Sequence, residues 1–343
     1  VLTIEKASGL VTVQDLGWPT GRAFGLPRSG AVDAPAARLA NALVGNPDGA
    51  AVLELALGAV TVRFPEPRRY ALVGIEPDEA ASGTTRLARP GESLTLGPPT
   101  AVRFGYLAVA GGIDVPSVLG SRSTYLPTGL GGLAGRALAA GDVLPLGTPG
   151  HGPPEGYRPA LPNLRAAWSV DAGESGGLTG TESPGAAEPI RLVAGPQARR
   201  FSDEALARLE SASYRVSSVS DRMGTRLIGP AIVPITPADL PSEGACLGAV
   251  QVPDDGQPIV LLVDGPTVGG YPKVAVIATV DFARFAQLLP GRQARFRFVS
   301  VAEAQQRWIE WSEQWDRALT AIRDSWGAGR AGGPAGAEER REG

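Results

Sequence analysis

Glycine or proline brackets almost every apolar run in this chain, and that punctuation limits what it can fold into. Val60-Thr61-Val62-Arg63-Phe64 lies between Gly58 and Pro65, Tyr70-Ala71-Leu72-Val73 between Pro67 and Gly74, and Ile259-Val260-Leu261-Leu262-Val263 between Pro258 and Gly265. Runs this short, rich in β-branched and aromatic residues and closed by turn formers, predict strands rather than helices. Glycine (46) and proline (31) fill 77 of 343 positions, too few for a collagen and too many for a helix bundle. The chain is therefore expected to be mainly β. Further strands are expected at 2–4, 52–55, 106–109, 274–277 and 294–299.

Helices are few and carry local signals. Asp33 can cap a helix through 43 that stops at Gly45, Ser202 one at 203–211, and Asp281 one at 282–289 before Pro290. The last helix opens on a capping box of Ser300 and Glu303 and should run to about 326. Ala304, Trp308, Trp311, Trp315, Leu319, Ile322 and Trp326 recur at steps of three and four and share one face. The expectation is a stripe packed on the protein's own body; a partner interface is the alternative.

Composition divides the chain. Residues 1–146 form one β-rich half, and residues 189–326 a second half that ends in the long helix. Between them, 147–188 holds 15 glycines and prolines in 42 positions and reads as a linker or surface loop. Residues 327–343 read as a disordered tail. Leu57-Gly58-Ala59-Val60-Thr61-Val62 echoes Leu247-Gly248-Ala249-Val250-Gln251-Val252, and further matches follow in the same order. Two related halves are expected, with a site in the cleft between them.

Several functions are excluded. One cysteine and one histidine cannot build a disulfide framework, a structural zinc site or an iron–sulfur cluster. A net charge of −3 without a basic run argues against nucleic acid. No apolar run reaches the ~18 residues of a membrane helix, and a cytoplasmic protein is expected. Cys246, in an apolar block, is expected to be a buried, inert thiol, and His151, between two glycines, to be solvated.

Three segments concentrate polar chemistry. In 25–46, Asp33 and Asn41 lie along the first predicted helix, each explicable as a cap or a buried tie. In 217–229, Asp221, Arg222 and Arg226 fall within a few positions; arginine offers a planar fork for carboxylate or phosphate, and Asp221 can orient it or act as a base. Ser220 is a poor nucleophile candidate, because no histidine is at hand. In 248–273, Gln251 precedes a strand that leads to Asp264, a glycine-rich turn with Thr267, Gly269 and Gly270, then Tyr271, Pro272 and Lys273. Such a turn can present backbone N–H groups to an oxyanion. Lys273 is one of only two lysines beside 30 arginines. No Gly-Lys-Ser/Thr follows, so this is not a P-loop.

These segments, with TVQDLGWPTGRAFGLPRSGAVDAPAARLANALVGN and YLAVAGGIDVPSVLGSRSTYLPTGLGGLAGRALAAGDVLPL, resemble the KipA family over roughly residues 1–305. That family is also known as allophanate hydrolase subunit 2, the biotin-dependent carboxyltransferase family, or the PxpC component of 5-oxoprolinase. The resemblance implies a cyclophilin-like β-barrel and a KipI-like (PxpB) partner. With a PxpA-like subunit, the complex would open the lactam of 5-oxo-L-proline to L-glutamate using ATP. Alternatives within the family are carboxyl transfer to a urea-like amide, with biotin supplied in trans, and a binding protein that antagonises a KipI-like kinase inhibitor. No metal is expected in this chain. On the first reading Asp264 or Asp221 would position water, Lys273 would stand among the catalytic groups, and Arg222, Arg226, Gly269 and Gly270 would stabilise developing charge. Asn41 or Gln251 would hold the amide, with Asp33, Thr267 and Tyr271 beside the substrate. The chain departs from the family pattern at Asp15-Leu16-Gly17-Trp18, where Asp-Gly-Gly-Arg is usual. Asp264-Gly265-Pro266-Thr267 is closer to the fused urea carboxylase type, and Tyr271-Pro272-Lys273 to the free-standing type. Other members carry arginine at the position of Lys273.

Overall fold

The structure is a computed structural model describing residues 1–75, 82–159, 188–236 and 240–327. Of the linker or surface loop expected at 147–188, residues 160–187 fall outside the described residues, and so do 328–343 of the tail expected at 327–343. In the N-terminal half, β1 (Leu2–Gln14) and β2 (Val52–Phe64) run antiparallel along most of their length. The two strands expected at 52–55 and 60–64 are thus one. Leu57 takes a left-handed φ of 53°, and the register shifts between Ser8 and Leu10, so a bulge bends the strand instead of ending it. Strands β3 (Arg68–Val73), β4 (Thr85–Ala88), β5 (Glu92–Leu96), β6 (Phe104–Val109) and β7 (Val143–Leu144) complete a sheet ordered β4-β3-β6-β2-β1-β7, with β5 also on β2.

The C-terminal half is a closed barrel. Its strands are β8 (Ile190–Ala194), β9 (Ser213–Val216), β10 (Gly224–Ile228), β12 (Ala249–Gln251), β13 (Ile259–Leu261), β15 (Lys273–Ile277) and β16 (Gln293–Val299), in the order β10-β13-β12-β15-β8-β16-β9. Strands β8 and β16 are parallel. Outside the barrel, β11 (Glu243–Gly244) and β14 (Val268–Gly269) pair as a two-stranded ribbon. The echo in sequence is not an echo in pairing: β12 pairs with β13, whereas β2 pairs with β1, β5 and β6 and not with β3.

Four α-helices are described: α1 (Ala34–Val44), α2 (Asp203–Ser211), α3 (Thr279–Ala286) and α4 (Val301–Gly327). Asp33 caps α1 through Ala36 N at 2.9 Å, and Ser202 caps α2 through Ala205 N at 3.2 Å. Asp281 does not cap α3. That helix begins two residues earlier, and the Asp281 carboxylate accepts from Arg191 N at 2.7 Å and Arg191 Nη1 at 2.9 Å. A distant partner has taken the side chain that a local rule assigned to the helix end.

One apolar core runs from α1 through Ala71, Phe104 and Tyr106 of the sheet into the barrel and on to Trp315, Leu319 and Ile322 of α4. A second core, including Leu53, Val62 and Leu107, fills the other face of the N-terminal sheet. The α4 stripe lies on the protein's own body from Trp315 onward; Trp308, Trp311 and Trp315 stack in sequence at 5.2 and 5.5 Å, and Trp308 is exposed.

Candidate functional site at the junction of the two halves

The polar segments meet where the barrel abuts the N-terminal sheet. Ser29 N donates to Val263 O at 2.8 Å, which joins the 25–46 segment to the loop after β13. Arg222, just before β10, is buried at this seam. Its Nε and Nη2 donate to Asp264 at 2.8 and 3.2 Å, Nη2 also reaches Gly30 O at 2.8 Å, and Nη1 pairs with Glu54 on β2. Burial alone would push the guanidinium down, but the two carboxylates outweigh it and hold the charge above arginine's ordinary range. Glu54 in turn accepts from Val32 N and Tyr106 OH, both at 2.8 Å.

Tyr106 continues the chain inward. Its hydroxyl accepts from Asp33 N at 2.8 Å, and burial together with Glu54 and Asp33 keeps the phenol strongly protonated. Asp33 accepts from Gln287 Nε2 at 2.8 Å, and Gln287 exchanges bonds of 2.8 and 3.0 Å with the Phe104 backbone. Asp33 therefore belongs to this interior lattice and is sealed from solvent. Asn41 is sealed as well. It donates to Ala50 O at 2.8 Å and accepts from Asn46 at 3.0 Å, so its amide ties down the loop after α1.

Asp264 is only 2% exposed and is occupied by Arg222, so it holds the loop in place and is not open to water. Asp221 instead makes a turn, accepting from Met223 N at 2.8 Å and Gly224 N at 3.1 Å. Arg226 points outward on β10. The glycine-rich turn is not an anion nest: neither Gly269 nor Gly270 has positive φ, and Gly269 sits in the ladder opposite Glu243. Cys246 is exposed, since it lies in the loop before β12 and not in the apolar block itself.

A second group lies under the ribbon. Gln251 and Lys273 are cross-strand partners on β12 and β15, and both are buried. Gln251 Nε2 has no hydrogen-bond partner, and a Cβ on Gly269 would stand 2.9 Å from it. Lys273 Nζ lies 2.5 Å from Glu243 Oε1, its one partner among the described residues. Thr267 O accepts from Ala245 N at 2.9 Å, and Gly270 O from Leu240 N at 2.9 Å, which anchors the loop above; Tyr271 is half exposed at its end. Asp264 and Lys273 thus close the two ends of one loop without touching each other.

Sequence reasoning did not single out Glu54, Tyr106 or Gln287, because nothing local marks a strand residue as the far partner of an arginine 168 positions away. It named Asp15 only as the start of a departure from the family pattern and gave it no task; the carboxylate gathers Ser121 and Ser123 hydroxyls and Arg122 N, all within 2.6 Å, and fixes the first motif to the second. No three of His, Cys, Asp and Glu gather as metal ligands would among the described residues, and none of the described helices is long and apolar enough to cross a membrane.

A mainly β fold with a closed barrel beside an open sheet is shared with a solved urea carboxylase, and the sequence matches a carboxyltransferase domain. Residues 24–298 match that domain, subdomains A and B, and the chain belongs to this family. It is 38% identical to the C-type subunit of the Escherichia coli 5-oxoprolinase, over 90% of this chain and 97% of that protein. The solved protein TTHA0988 is 34% identical, with a TM-score of 0.68 over 86% of this chain and 55% of that one. The urea carboxylase of Kluyveromyces lactis is 27% identical, with a TM-score of 0.77 over 94% of this chain. The chain spans about half of TTHA0988 and 29% of the urea carboxylase.

Proposed function

We propose that this chain is the C-type subunit of an ATP-dependent 5-oxoprolinase, opening the lactam of 5-oxo-L-proline to L-glutamate with KipI-like (PxpB) and PxpA-like subunits. The observation that carries this reading is the end-to-end likeness to the E. coli protein, 97% of whose length is matched. ATP serves as co-substrate of the complex, and the phosphoryl-binding machinery is assigned to the partners because this chain has no P-loop. Phosphorylation of the lactam oxygen makes the ring carbon electrophilic. Water then adds, the carbon–nitrogen bond breaks, and a second hydrolysis releases phosphate. In this reaction Gln251 Nε2 supplies the N–H that holds the substrate carbonyl, a role suited to a buried donor with no partner of its own. Arg222 and Asp264 act at one remove, by fixing the loop over the site to the N-terminal half.

The test is co-expression with the neighbouring KipI-like and PxpA-like subunits and an assay of 5-oxoproline-dependent ATP hydrolysis. A complex that forms but stays silent with 5-oxoproline overturns the proposal. A second reading, carboxyl transfer to a urea-like amide, is favoured by the family match and by the likeness to urea carboxylase. The same unpartnered Gln251 donor beside Gly269 fits the ureido oxygen of a carrier-borne biotin. Biotin bound there would supply the carboxyl group.

A further inference from the structure

Gln251 and Lys273 place a neutral N–H donor and an ammonium side by side, both withdrawn from solvent. Opposed residues of antiparallel strands have Cβ atoms about 4.5–5.5 Å apart. Both side chains leave the barrel on one face, where two donors can serve a carbonyl and a carboxylate of one small ligand. An ammonium has three donors, and this one meets only Glu243 among the described residues. Glu243 reaches in from the outside: it is 44% exposed and sits on the ribbon, opposite Gly269. Gln197 Nε2 also donates to it at 2.6 Å, and Gln197 Oε1 accepts from Lys273 N at 3.0 Å. Lys273, Gln197 and the nearby Arg200 favour the ionised carboxylate and hold Glu243 below its ordinary range.

We propose that Lys273 and Gln251 recognise a small amide that carries its own carboxylate, and that Glu243 occupies the place of that carboxylate when substrate is absent. The ribbon of β11 and β14 is then a latch: the incoming carboxylate displaces Glu243 from Lys273, and Gln251 takes the amide carbonyl. Gly269 packs so closely on Gln251 that a Cβ there would stand 2.9 Å from Nε2, so a carbonyl reaches this donor only once the ribbon has lifted. This deepens the 5-oxoprolinase reading and rests on it, since 5-oxoproline bears a carboxylate and urea does not.

The experiment reads binding apart from turnover. Amide hydrogen exchange at 243–245 and 266–271 is followed in the full chain with 5-oxo-L-proline, its neutral carboxamide, or urea. The expected result is faster exchange with 5-oxo-L-proline alone, and in Glu243→Gln the same acceleration without ligand. In the reconstituted complex, Glu243→Gln should lower KM for 5-oxoproline several-fold, and Lys273→Met should abolish the preference for 5-oxoproline over the carboxamide. Equal exchange in wild type and Glu243→Gln, or a preference that survives Lys273→Met, overturns the proposal. Acceleration by urea or the carboxamide equal to that by 5-oxoproline also overturns it. If the ribbon responds to 5-oxoproline but the complex does not turn it over, the latch stands and the assigned reaction falls.

Discussion

Arg222 and Glu54 form an ion pair between the two halves, and both side chains are almost wholly withdrawn from water. With Asp264 on the other side of the guanidinium, one cation serves two buried anions drawn from segments far apart in sequence. Removing one member of a buried charge cluster costs more than forming the cluster gains, because the remaining charges are stranded.

Arg222→Met is accordingly expected to destabilise the protein by about 3–5 kcal/mol in urea unfolding. Arg222→Lys should recover little of the loss, since a single ammonium cannot reproduce the fork that reaches Asp264, Glu54 and Gly30 together. A loss below about 1 kcal/mol for Arg222→Met would show that the seam is not what joins the halves.

Asp33 has two tasks that can be separated. Asp33→Ala removes the cap of α1 and leaves one N–H of the Gln287 amide without a partner, an expected cost of about 2 kcal/mol. Asp33→Ser keeps a capping oxygen and should recover roughly half of it. Thermal melts of the two variants test the division, and equal melting temperatures would refute it.

Leu57 holds its place in the bulge with a left-handed backbone while its side chain stays half exposed. Leu57→Asn is expected to stabilise the protein by about 1 kcal/mol, because asparagine tolerates that conformation better. Chemical denaturation at constant slope is the measurement, and a destabilised variant would mean that packing of the Leu57 side chain offsets the strain.

Burial pushes the Tyr214 phenol up to about 12, while its hydroxyl donates to Pro230 O at 3.0 Å. The unfolded chain loses this proton near pH ~10, before the native state does. Tyr214's contribution is therefore whole below about pH 10 and lost as the pH rises toward about 12. Stability measured across that interval should fall more steeply for wild type than for Tyr214→Phe.

Legibility followed range. The caps at Asp33 and Ser202 were readable because cap and helix lie within three residues of each other. The cap assigned to Asp281 failed because Arg191, 90 residues away, competes for the same carboxylate. The strands around 52–64 were legible in kind but not in extent, since a leucine in a left-handed conformation is not a visible turn signal. Among the site residues, Gln251, Lys273, Gly269 and Thr267 were near enough in sequence to be read as one group. Asp221 and Arg222 looked like partners because they are adjacent, yet their side chains serve different ends: one folds its own turn, the other crosses to Glu54.

The barrel has a consequence for a chain emerging from the ribosome. Strand β16 closes it by pairing on one side with β9 and on the other with β8, where Phe296 meets Ile190, 106 residues earlier. The N-terminal sheet has all its strands once Leu144 is made. At about 5–20 residues per second, the closing strand follows roughly 8–30 seconds later. Until Arg222 is made, about half-way through that interval, Glu54 has Tyr106 and Val32 for company but no arginine, and the apolar wall meant for the barrel faces water. The nascent half-protein is therefore the stage at which this chain is most prone to aggregate.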